Sequence, residues 1–294
     1  MAGKGRGPAG AGDWMPAPWR GHYINLDTSL DRRSAIEATI ARAGLTGLYR
    51  RFPAIAGDGK PPGCRLSAAQ YGCFRSHHDL LTGLTPDGGF IHVLEDDAML
   101  ARPFGPALQS VIGGGLMEPF DIVFTETMVM PDVLHIRMLK GLFDRNAGPG
   151  RPPSLSLMDL ATKDFAGATS YFVNPRSLDR VKASLAGALA AGPVRPLDLV
   201  YCDAARAGRL KVGLLFPFLS GLDTRLSSTI RPETASAAAS LLLRGAFFVE
   251  ADIEASRRAM AELMRAVGLW QPDPRLDLIA DILRFTASDR YRPF

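Results

Sequence analysis

Three consecutive carboxylates directly follow the apolar run FIHVL at residues 90–94; they are Glu95, Asp96 and Asp97. An apolar run of this length, preceded by the turn-rich TPDGG, predicts a buried strand that ends at the triplet. In an open α/β sheet, ligands bind in the crevice outside the carboxyl ends of the strands. Adjacent carboxylates repel one another unless a cation lies between them, and hard oxygen ligands suit Mg²⁺ or Mn²⁺. The triplet therefore indicates a divalent cation site, although taken alone a solvated turn or a helix cap explains it equally well.

The elements around the triplet alternate between strands and helices. Ser67 and Gln70 form a capping-box pair that begins one helix, and Pro175 and Gly192 mark the two ends of another. Such alternation is typical of an α/β sheet with helices on its faces. Residues 126–165 have no clear hydrophobic period, so a long functional loop region is predicted there. The predicted strands cover residues 22–26, 48–55, 90–94, 120–124, 168–173 and 210–216, and the predicted helices cover 28–44, 67–84 and 175–192.

The bulk composition excludes several classes of protein. The 294 residues are 47% hydrophobic and 22% charged, which is typical of a soluble globular protein. The net charge of +4 includes no basic run, so nucleic acid is excluded as a partner. Cys64, Cys73 and Cys202 contain no CxxC pair, which argues against a zinc site or a disulfide framework and favours a reducing cytosol. No uncharged apolar stretch reaches the roughly 18 residues of a membrane span, so any membrane contact is expected to be peripheral.

Composition divides the chain into three parts. Residues 1–20 are rich in Gly, Pro and Ala and lack an apolar signal-peptide core, so a flexible leader is predicted. Residues 21–232 contain the alternating strands and helices and form the predicted main domain. Residues 233–294 carry only helical patterns and are predicted to form a helical C-terminal appendage.

Four sequence blocks resemble glycosyltransferase family 25, the lipooligosaccharide and procollagen galactosyltransferase group. Two later segments, RPLDLVY at 195–201 and SSTI at 227–230, are similar to weaker blocks of the family. The resemblance implies an α/β fold with a GT-A type nucleotide-sugar-binding mixed sheet flanked by helices. It also implies inverting transfer of a hexose, usually galactose, from a UDP-sugar with Mn²⁺ or Mg²⁺. The four blocks are YINLDTSLDRR at 23–33, LSAAQYGCFRSHHDL at 66–80, VLEDDAML at 93–100 and GATSYFVNPRSLDRV at 167–181.

By this resemblance the triplet is a variant of the family's acidic DxD metal motif, with Glu95 and Asp97 in its first and third positions. Asp97 is then the predicted metal ligand, because a cation neutralises the charge that builds on the UDP phosphates as the glycosidic bond breaks. Asp96 or Glu95 would reach the ribose or a second metal position. An inverting transfer needs no covalent nucleophile, but a carboxylate must deprotonate the acceptor hydroxyl on the face opposite UDP.

Four polar residues near the first predicted strand are candidate nucleotide-sugar ligands. Asn25 and Asp27 end that strand, where a base or ribose would lie, and a simple Asx turn is the alternative. Arg32 and Arg33 follow in the first turn of the next helix. One of them is expected to bind a phosphate bidentately, and the other to be a solvated surface charge.

Two further candidates lie in other blocks of the resemblance. His77 matches the family's Ser-His pair and is predicted to serve the donor site, with a structural hydrogen bond as the alternative. Gly72 and Cys73 on the same helix are interpreted as permitting close packing rather than as chemistry. Asp198 lies where the family has an Asp after a Pro-containing turn. It is the first choice for acceptor binding or general base, and a helix-capping Asp would look the same.

These expectations describe a metal-dependent transferase that moves a hexose from a UDP-hexose donor to a glycan acceptor such as a lipooligosaccharide core. A lipid-linked acceptor implies a cytoplasmic protein with peripheral contact at the inner face of the membrane. The C-terminal helices, with the apolar SLLLRGAFFV at 240–249, could dock on that surface, pair two subunits as a homodimer, or pack on the sheet. The alternative function is a catalytically degenerate family member that binds a glycan or a protein partner without turnover.

Overall fold

A computed structural model describes residues 18–86, 88–129, 133–146, 154–223, 226 and 244–252, together with isolated positions between 254 and 282. These residues form a seven-stranded mixed sheet and a separate two-stranded ribbon, with helices packed on the sheet. Within the described ranges, no helix is both long and apolar enough to cross a lipid bilayer. The strands are β1 (Trp19–Asn25), β2 (Tyr49–Pro53), β3 (Phe90–Glu95), β4 (Ala98–Leu100), β5 (Ile122–Val129), β6 (Ser156–Asp159), β7 (Phe165–Val173), β8 (Val212–Phe216) and β9 (Ser220–Leu222).

Helices cover both faces of the sheet. Along β3, Ile91 and Val93 belong to one hydrophobic cluster and Phe90 and Leu94 to the other, because successive side chains of a strand point to opposite faces. Burial on both faces explains why this strand is a continuous apolar run in the sequence. The helices are α1 (Leu30–Arg42), α2 (Ala68–Thr82), α3 (Phe104–Gly113), α4 (Val133–Asn146), α5 (Leu178–Ala190) and α6 (Leu197–Arg206). Residues of α2, α5 and α6 enter the first cluster, and residues of α1 and α3 enter the second.

The sheet brings the ends of four strands to one edge. Its order is β2-β1-β3-β7-β5-β8-β6, and β4 pairs with β9 in the ribbon. β1 is parallel to both neighbours, so that Asn25 aligns with Pro53 and Ile24 aligns with Glu95. β7 runs antiparallel between β3 and β5, so its first residues lie at the edge where β1, β2 and β3 end. The polar residues that follow these strands therefore meet at a single place.

Helix α2 begins as the sequence predicts. The Gln70 amide donates to Ser67 Oγ at 3.2 Å and the Ser67 amide donates to Gln70 Oε1 at 3.0 Å, which confirms the capping box. The interpretation of Gly72 is also confirmed, because a Cβ added there would lie 2.5 Å from the Ile55 carbonyl oxygen. This close approach seats α2 against the loop that follows β2.

The α/β prediction is confirmed, and the loop predicted over residues 126–165 is wrong. β5 continues to Val129, and both α4 and β6 lie inside that range. The cause is the polar run Thr125, Glu126 and Thr127, which has no apolar period although all three residues are completely buried. Buried partners satisfy their polar groups, and sequence alone does not show those partners.

The ends of the predicted main domain also differ from the expectation. β1 begins at Trp19, so the last two residues of the predicted leader belong to the sheet, and residues 1–17 lie outside the described residues. Most of the predicted appendage 233–294 also lies outside them. In its described part Phe247 and Phe248 are buried, and Phe248 bridges to Phe218. That part packs on the sheet region, as one of the three alternatives for the C-terminal helices predicts.

Candidate functional site

Asn25 is buried at the end of β1, with 1% of its surface exposed, and its side chain hydrogen-bonds to several surrounding residues. Its Nδ2 donates to Asp96 Oδ2 at 2.7 Å and to the Ser29 carbonyl at 3.0 Å. Its Oδ1 accepts from Arg33 Nε at 3.0 Å and from Arg51 Nε at 3.2 Å. Both donor hydrogens and both acceptor lone pairs of the amide are thus satisfied within the protein. Asn25 therefore positions its neighbours, and it could contact a nucleotide only by giving up one of these bonds.

The two arginines that bind Asn25 also contact a residue nearer the surface. Arg51 forms an ion pair with Asp27, and Arg33 Nη2 lies 3.8 Å from the same Asp27 Oδ1. The Asp27 side chain is 77% exposed and marks the rim of the site. The Arg32 and Arg33 side chains are only 18% and 27% exposed. Neither arginine is therefore the solvated surface residue that was expected for one of the two. Arg51 was not among the predicted site residues.

Arg32 binds two members of the acidic triplet. Its Nε donates to Asp96 Oδ1 at 2.7 Å, and its Nη2 lies 3.0 Å from Asp97 Oδ2. Burial alone would lower the pKa of Arg32, but the hydrogen bond to Asp96 and the charge of Asp97 raise it above its usual value. The guanidinium thus already neutralises part of the triplet. Asp96 has one oxygen on Arg32 and the other on Asn25.

Asp97 keeps one oxygen without a partner. Within the described residues its Oδ1 is buried and forms no hydrogen bond. Burial, followed by the charges of Glu95 and Asp96, raises the pKa of Asp97 to about 6, although Arg32 opposes the shift. The main chain is held in place, since the Asp223 amide donates to the Asp97 carbonyl at 2.8 Å. A buried carboxylate oxygen of this kind gains stabilisation from an added cation.

Glu95 faces helix α2 and a group of potential metal ligands. Its Oε1 lies 3.3 Å from His77 Nε2 and 3.6 Å from Cys73 Sγ. His77 Nδ1 is hydrogen-bonded to the Tyr171 hydroxyl at 2.8 Å, so the structural hydrogen bond that was the alternative for His77 is present. Burial alone would raise the pKa of Glu95, but the hydrogen bond and charge of His77, followed by the charge of Arg244, lower it. Asp97 contributes no ligand atom to this compact group.

Asp198 ties helix α6 to strand β7. Its Oδ1 accepts from the Leu199 amide at 2.9 Å, and its Oδ2 accepts from the Gly167 amide at 2.7 Å. Gly167 has a φ of +93°, a conformation that favours glycine. Burial, then the charges of Glu95 and Asp198, raise the pKa of the Cys73 thiol, which places Asp198 in the electrostatic surroundings of the site. Asp198 is not the N-cap of α6, which is Pro196, and its role as general base stays a prediction.

Arg244 and Glu126 form a buried ion pair that the sequence reasoning missed. Glu126 is completely buried, the Arg244 side chain is 9% exposed, and the guanidinium binds both carboxylate oxygens. Arg244 Nη2 also donates to Thr169 Oγ1 at 2.9 Å. A usable signal was present only for Arg244, which is the lone charge in the apolar run SLLLRGAFFV, because such charges are rarely buried without a partner.

The structure thus brings Asn25, Arg32, Glu95, Asp96 and Asp97 to one edge of the sheet, with His77 behind Glu95 and Asp198 beyond it. Within the triplet, Asp97 offers an unpartnered oxygen and Glu95 is 27% exposed, whereas both oxygens of Asp96 are committed. Glu95 and Asp97 are therefore the residues that would hold Mn²⁺ or Mg²⁺.

No protein-family model matches the chain, and no curated protein is significantly similar to it in sequence.

Proposed function

We propose that this protein is a metal-dependent inverting glycosyltransferase that moves a hexose from a UDP-sugar to a glycan acceptor. The observation that carries the proposal is the carboxylate of Asp97, whose buried Oδ1 has no partner among the described residues and lies in the field of Glu95. The mixed sheet, with acidic residues where β3 ends, is compatible with a GT-A type domain. Galactose is the proposed hexose because of the family resemblance.

Glu95 and Asp97 would bind Mn²⁺ or Mg²⁺ at the diphosphate. The cation would neutralise the charge that develops on the leaving UDP. Arg32 holds Asp96 and Asp97 in place from the other side. The protein's own part in this step is to keep two carboxylates close together in a partly buried position, at a cost that a bound cation relieves.

The arginines near β1 and β2 supply a second element of donor binding. Arg33 and Arg51 converge on Asn25, and Asp27 balances their charge at the exposed rim. Guanidinium groups bind phosphate oxygens bidentately, so a UDP diphosphate can exchange with the contacts to Asp27. Asn25 keeps both guanidinium groups oriented towards the edge of the sheet.

Asp198 is the proposed general base or acceptor ligand. An inverting transfer requires a carboxylate on the face opposite UDP to take the proton of the acceptor hydroxyl. Two backbone amides hold Asp198 at a fixed position, which suits a group that must meet a hydroxyl in one geometry. His77 is proposed to act through Glu95, since it contacts that carboxylate directly.

The proposed acceptor is a lipid-linked glycan such as a lipooligosaccharide core, which would place the protein in the cytoplasm at the inner face of the membrane. Among the described C-terminal positions, the residues Leu278, Ile279 and Ile282 are 62%, 50% and 52% exposed. An exposed apolar group of this kind suits peripheral membrane contact or a homodimer.

The test is hydrolysis of nucleotide sugars by the purified protein in Mn²⁺ and in EDTA. We expect UDP release from one UDP-hexose, its loss in EDTA, and a fall of about 100-fold or more in Asp97→Asn, as for removal of one transition-state charge contact. Asp179→Asn is the matched control, because that side chain is 87% exposed on α5. The proposal would be refuted if the protein hydrolysed none of the nucleotide sugars tested and if none of them raised its melting temperature.

A binding protein without turnover is the second candidate, and one observation favours it. Arg32 already occupies the place of a cation between Asp96 and Asp97, so part of the acidic charge is neutralised without metal. In that case a nucleotide sugar or a glycan would raise the melting temperature equally in Mn²⁺ and in EDTA, and no UDP would be released. Metal-dependent UDP release would exclude this candidate.

A further inference from the structure

Cys73, His77 and Glu95 form a compact cluster that the proposed sugar transfer does not use as a unit. Cys73 and His77 are four residues apart on α2 and therefore lie on one face of that helix. Glu95 reaches them from the end of β3, and the ligand atoms of all three lie within 4.8 Å of one another. We propose that this cluster binds Zn²⁺ through Cys73 Sγ, His77 Nε2 and a Glu95 carboxylate oxygen.

The distances between the ligand atoms fit a tetrahedral zinc ion. With Zn–S near 2.3 Å and Zn–N and Zn–O near 2.0 Å, tetrahedral geometry places S and O about 3.5 Å apart and N and O about 3.3 Å apart. The observed separations are 3.6 Å from Cys73 Sγ to Glu95 Oε1 and 3.3 Å from His77 Nε2 to Glu95 Oε1. Two of the three separations therefore match a tetrahedral site, and the third, between Cys73 Sγ and His77 Nε2, is at most 4.8 Å.

Tyr171 orients the imidazole as a zinc ligand requires. A metal-bound histidine donates its other ring N–H to a neighbouring acceptor, which fixes its tautomer and its ring. His77 Nδ1 lies 2.8 Å from the Tyr171 hydroxyl, and the two rings stack with centroids 5.7 Å apart. Zinc binding requires the proton to be on Nδ1, so that Nε2, which faces Glu95 Oε1 at 3.3 Å, offers its lone pair to the metal. The Tyr201 hydroxyl in turn donates to the Tyr171 hydroxyl at 3.4 Å.

The chemistry of the ligands selects zinc over the cation proposed for the donor site. Thiolate and imidazole ligands favour Zn²⁺, whereas Mn²⁺ and Mg²⁺ prefer oxygen. Binding displaces the thiol proton of Cys73 to solvent, and a proton on His77 Nε2 must move to Nδ1 or leave as well, so at least one proton leaves for each zinc bound. Three protein ligands leave the fourth position for water, and the Glu95 side chain, 27% exposed, keeps the cluster in contact with solvent. The inference does not rest on the proposed function, because it concerns binding of the metal alone.

The sequence contains no CxxC pair, and this absence argues against a zinc site. The fold nevertheless brings three potential zinc ligands together. The three ligands come from an i, i+4 pair on a helix and from a strand end 18 residues later than His77. Spacing rules recognise ligands that lie close along the chain. The proximity of α2 to the end of β3 creates this set.

The test is titration of the metal-free protein with Co²⁺ and with Zn²⁺. We expect one equivalent of Co²⁺ to give a thiolate-to-cobalt charge-transfer band and the intense visible bands of tetrahedral Co²⁺, both removed by competing Zn²⁺. Calorimetry in buffers of different ionisation enthalpy should report at least one proton released for each zinc bound. Asp97→Asn should retain these signals, because Asp97 is not a ligand of this cluster, whereas Glu95 is shared with the proposed donor site.

Variants assign the ligands. Cys73→Ser, which nearly preserves side-chain volume, should lose the charge-transfer band, whereas Cys64→Ser should keep it. Tyr171→Phe should weaken zinc binding by about 10–100-fold, as expected for loss of a partner that orients a ligand. Circular dichroism checks that each variant is folded. Absence of the thiolate band in the unmodified protein, or equal zinc affinity in folded Cys73→Ser, would overturn the proposal and leave a hydrogen-bonded cluster only.

Discussion

Replacing Asp97 with asparagine should make the metal-free protein more stable at pH 8 and leave its stability at pH 4 almost unchanged. The pKa of Asp97 is raised from 3.8 to about 6, first by burial and then by the charge of Glu95. Between these two values the folded protein holds a proton that the unfolded chain releases, so the free energy of unfolding falls as pH rises. Asparagine imitates the protonated carboxyl and removes that loss.

The size of the effect follows from the two pKa values. The difference between 3.8 and about 6 corresponds to about 3 kcal/mol, at about 1.36 kcal/mol for each pH unit. In a domain of 150–250 residues, about 1 kcal/mol changes the melting temperature by about 2–4 °C. Asp97→Asn should therefore melt up to about 6–12 °C higher than the unmodified protein at pH 8.

Urea unfolding in EDTA at pH 4, 5, 6, 7 and 8 measures this gain. The difference between variant and unmodified protein should be small at pH 4, grow between pH 4 and 6, and then level off. Asp121→Asn is the matched control, since that buried carboxylate is fully engaged with the Ser177 hydroxyl, Arg180 and the Lys211 amide. It should be destabilised by about 1–3 kcal/mol. The reasoning fails if Asp97→Asn is no more stable at pH 8, or if its gain is the same at every pH.

Two further substitutions test the packing around the site. Arg244→Ala should lower the free energy of unfolding by about 3–5 kcal/mol, because it leaves Glu126 buried without its counter-ion; a urea midpoint close to that of the unmodified protein would contradict this. Gly72→Ala should destabilise by about 1–3 kcal/mol in thermal melts, because its Cβ would meet the Ile55 carbonyl oxygen at 2.5 Å. Gly187→Ala in helix α5 is the control, with nothing within 4 Å of the added Cβ, and should stabilise by about 0.5–1 kcal/mol. Equal effects at the two glycines would contradict the packing argument.

The elements that local rules govern could be predicted from the sequence. Strand β3 is buried on both faces and so appears as an uninterrupted apolar run, and α2 begins with a capping box that needs only Ser67 and Gln70. The position of the acidic triplet followed from the end of β3. The approach of Asn25 to Asp96 also follows in outline, because adjacent parallel strands end at one edge of a sheet.

The remainder depends on partners that are distant in the chain. β5 was read as a loop beyond Phe124 because its buried polar residues are satisfied by β7, by Ser220 and by Arg244. Arg51 reaches Asn25 from β2, and Cys73 meets Glu95 across two elements. Spacing along one sequence does not encode such contacts, since they arise from sheet order and from helix packing.

The ion pair between Arg244 and Glu126 has a consequence for the order in which the chain can mature during translation. The two residues are 118 positions apart, so at about 5–20 residues per second a ribosome adds the arginine about 6–24 s after the glutamate. Until then Glu126 has no counter-ion and stays solvated, because an unpaired carboxylate is strongly disfavoured inside a sheet. β5 lies inside the sheet, between β7 and β8, so its final burial awaits a residue that is translated 118 positions later. A nascent chain released before residue 244 would therefore expose the centre of its own sheet and be a ready substrate for chaperones and proteases.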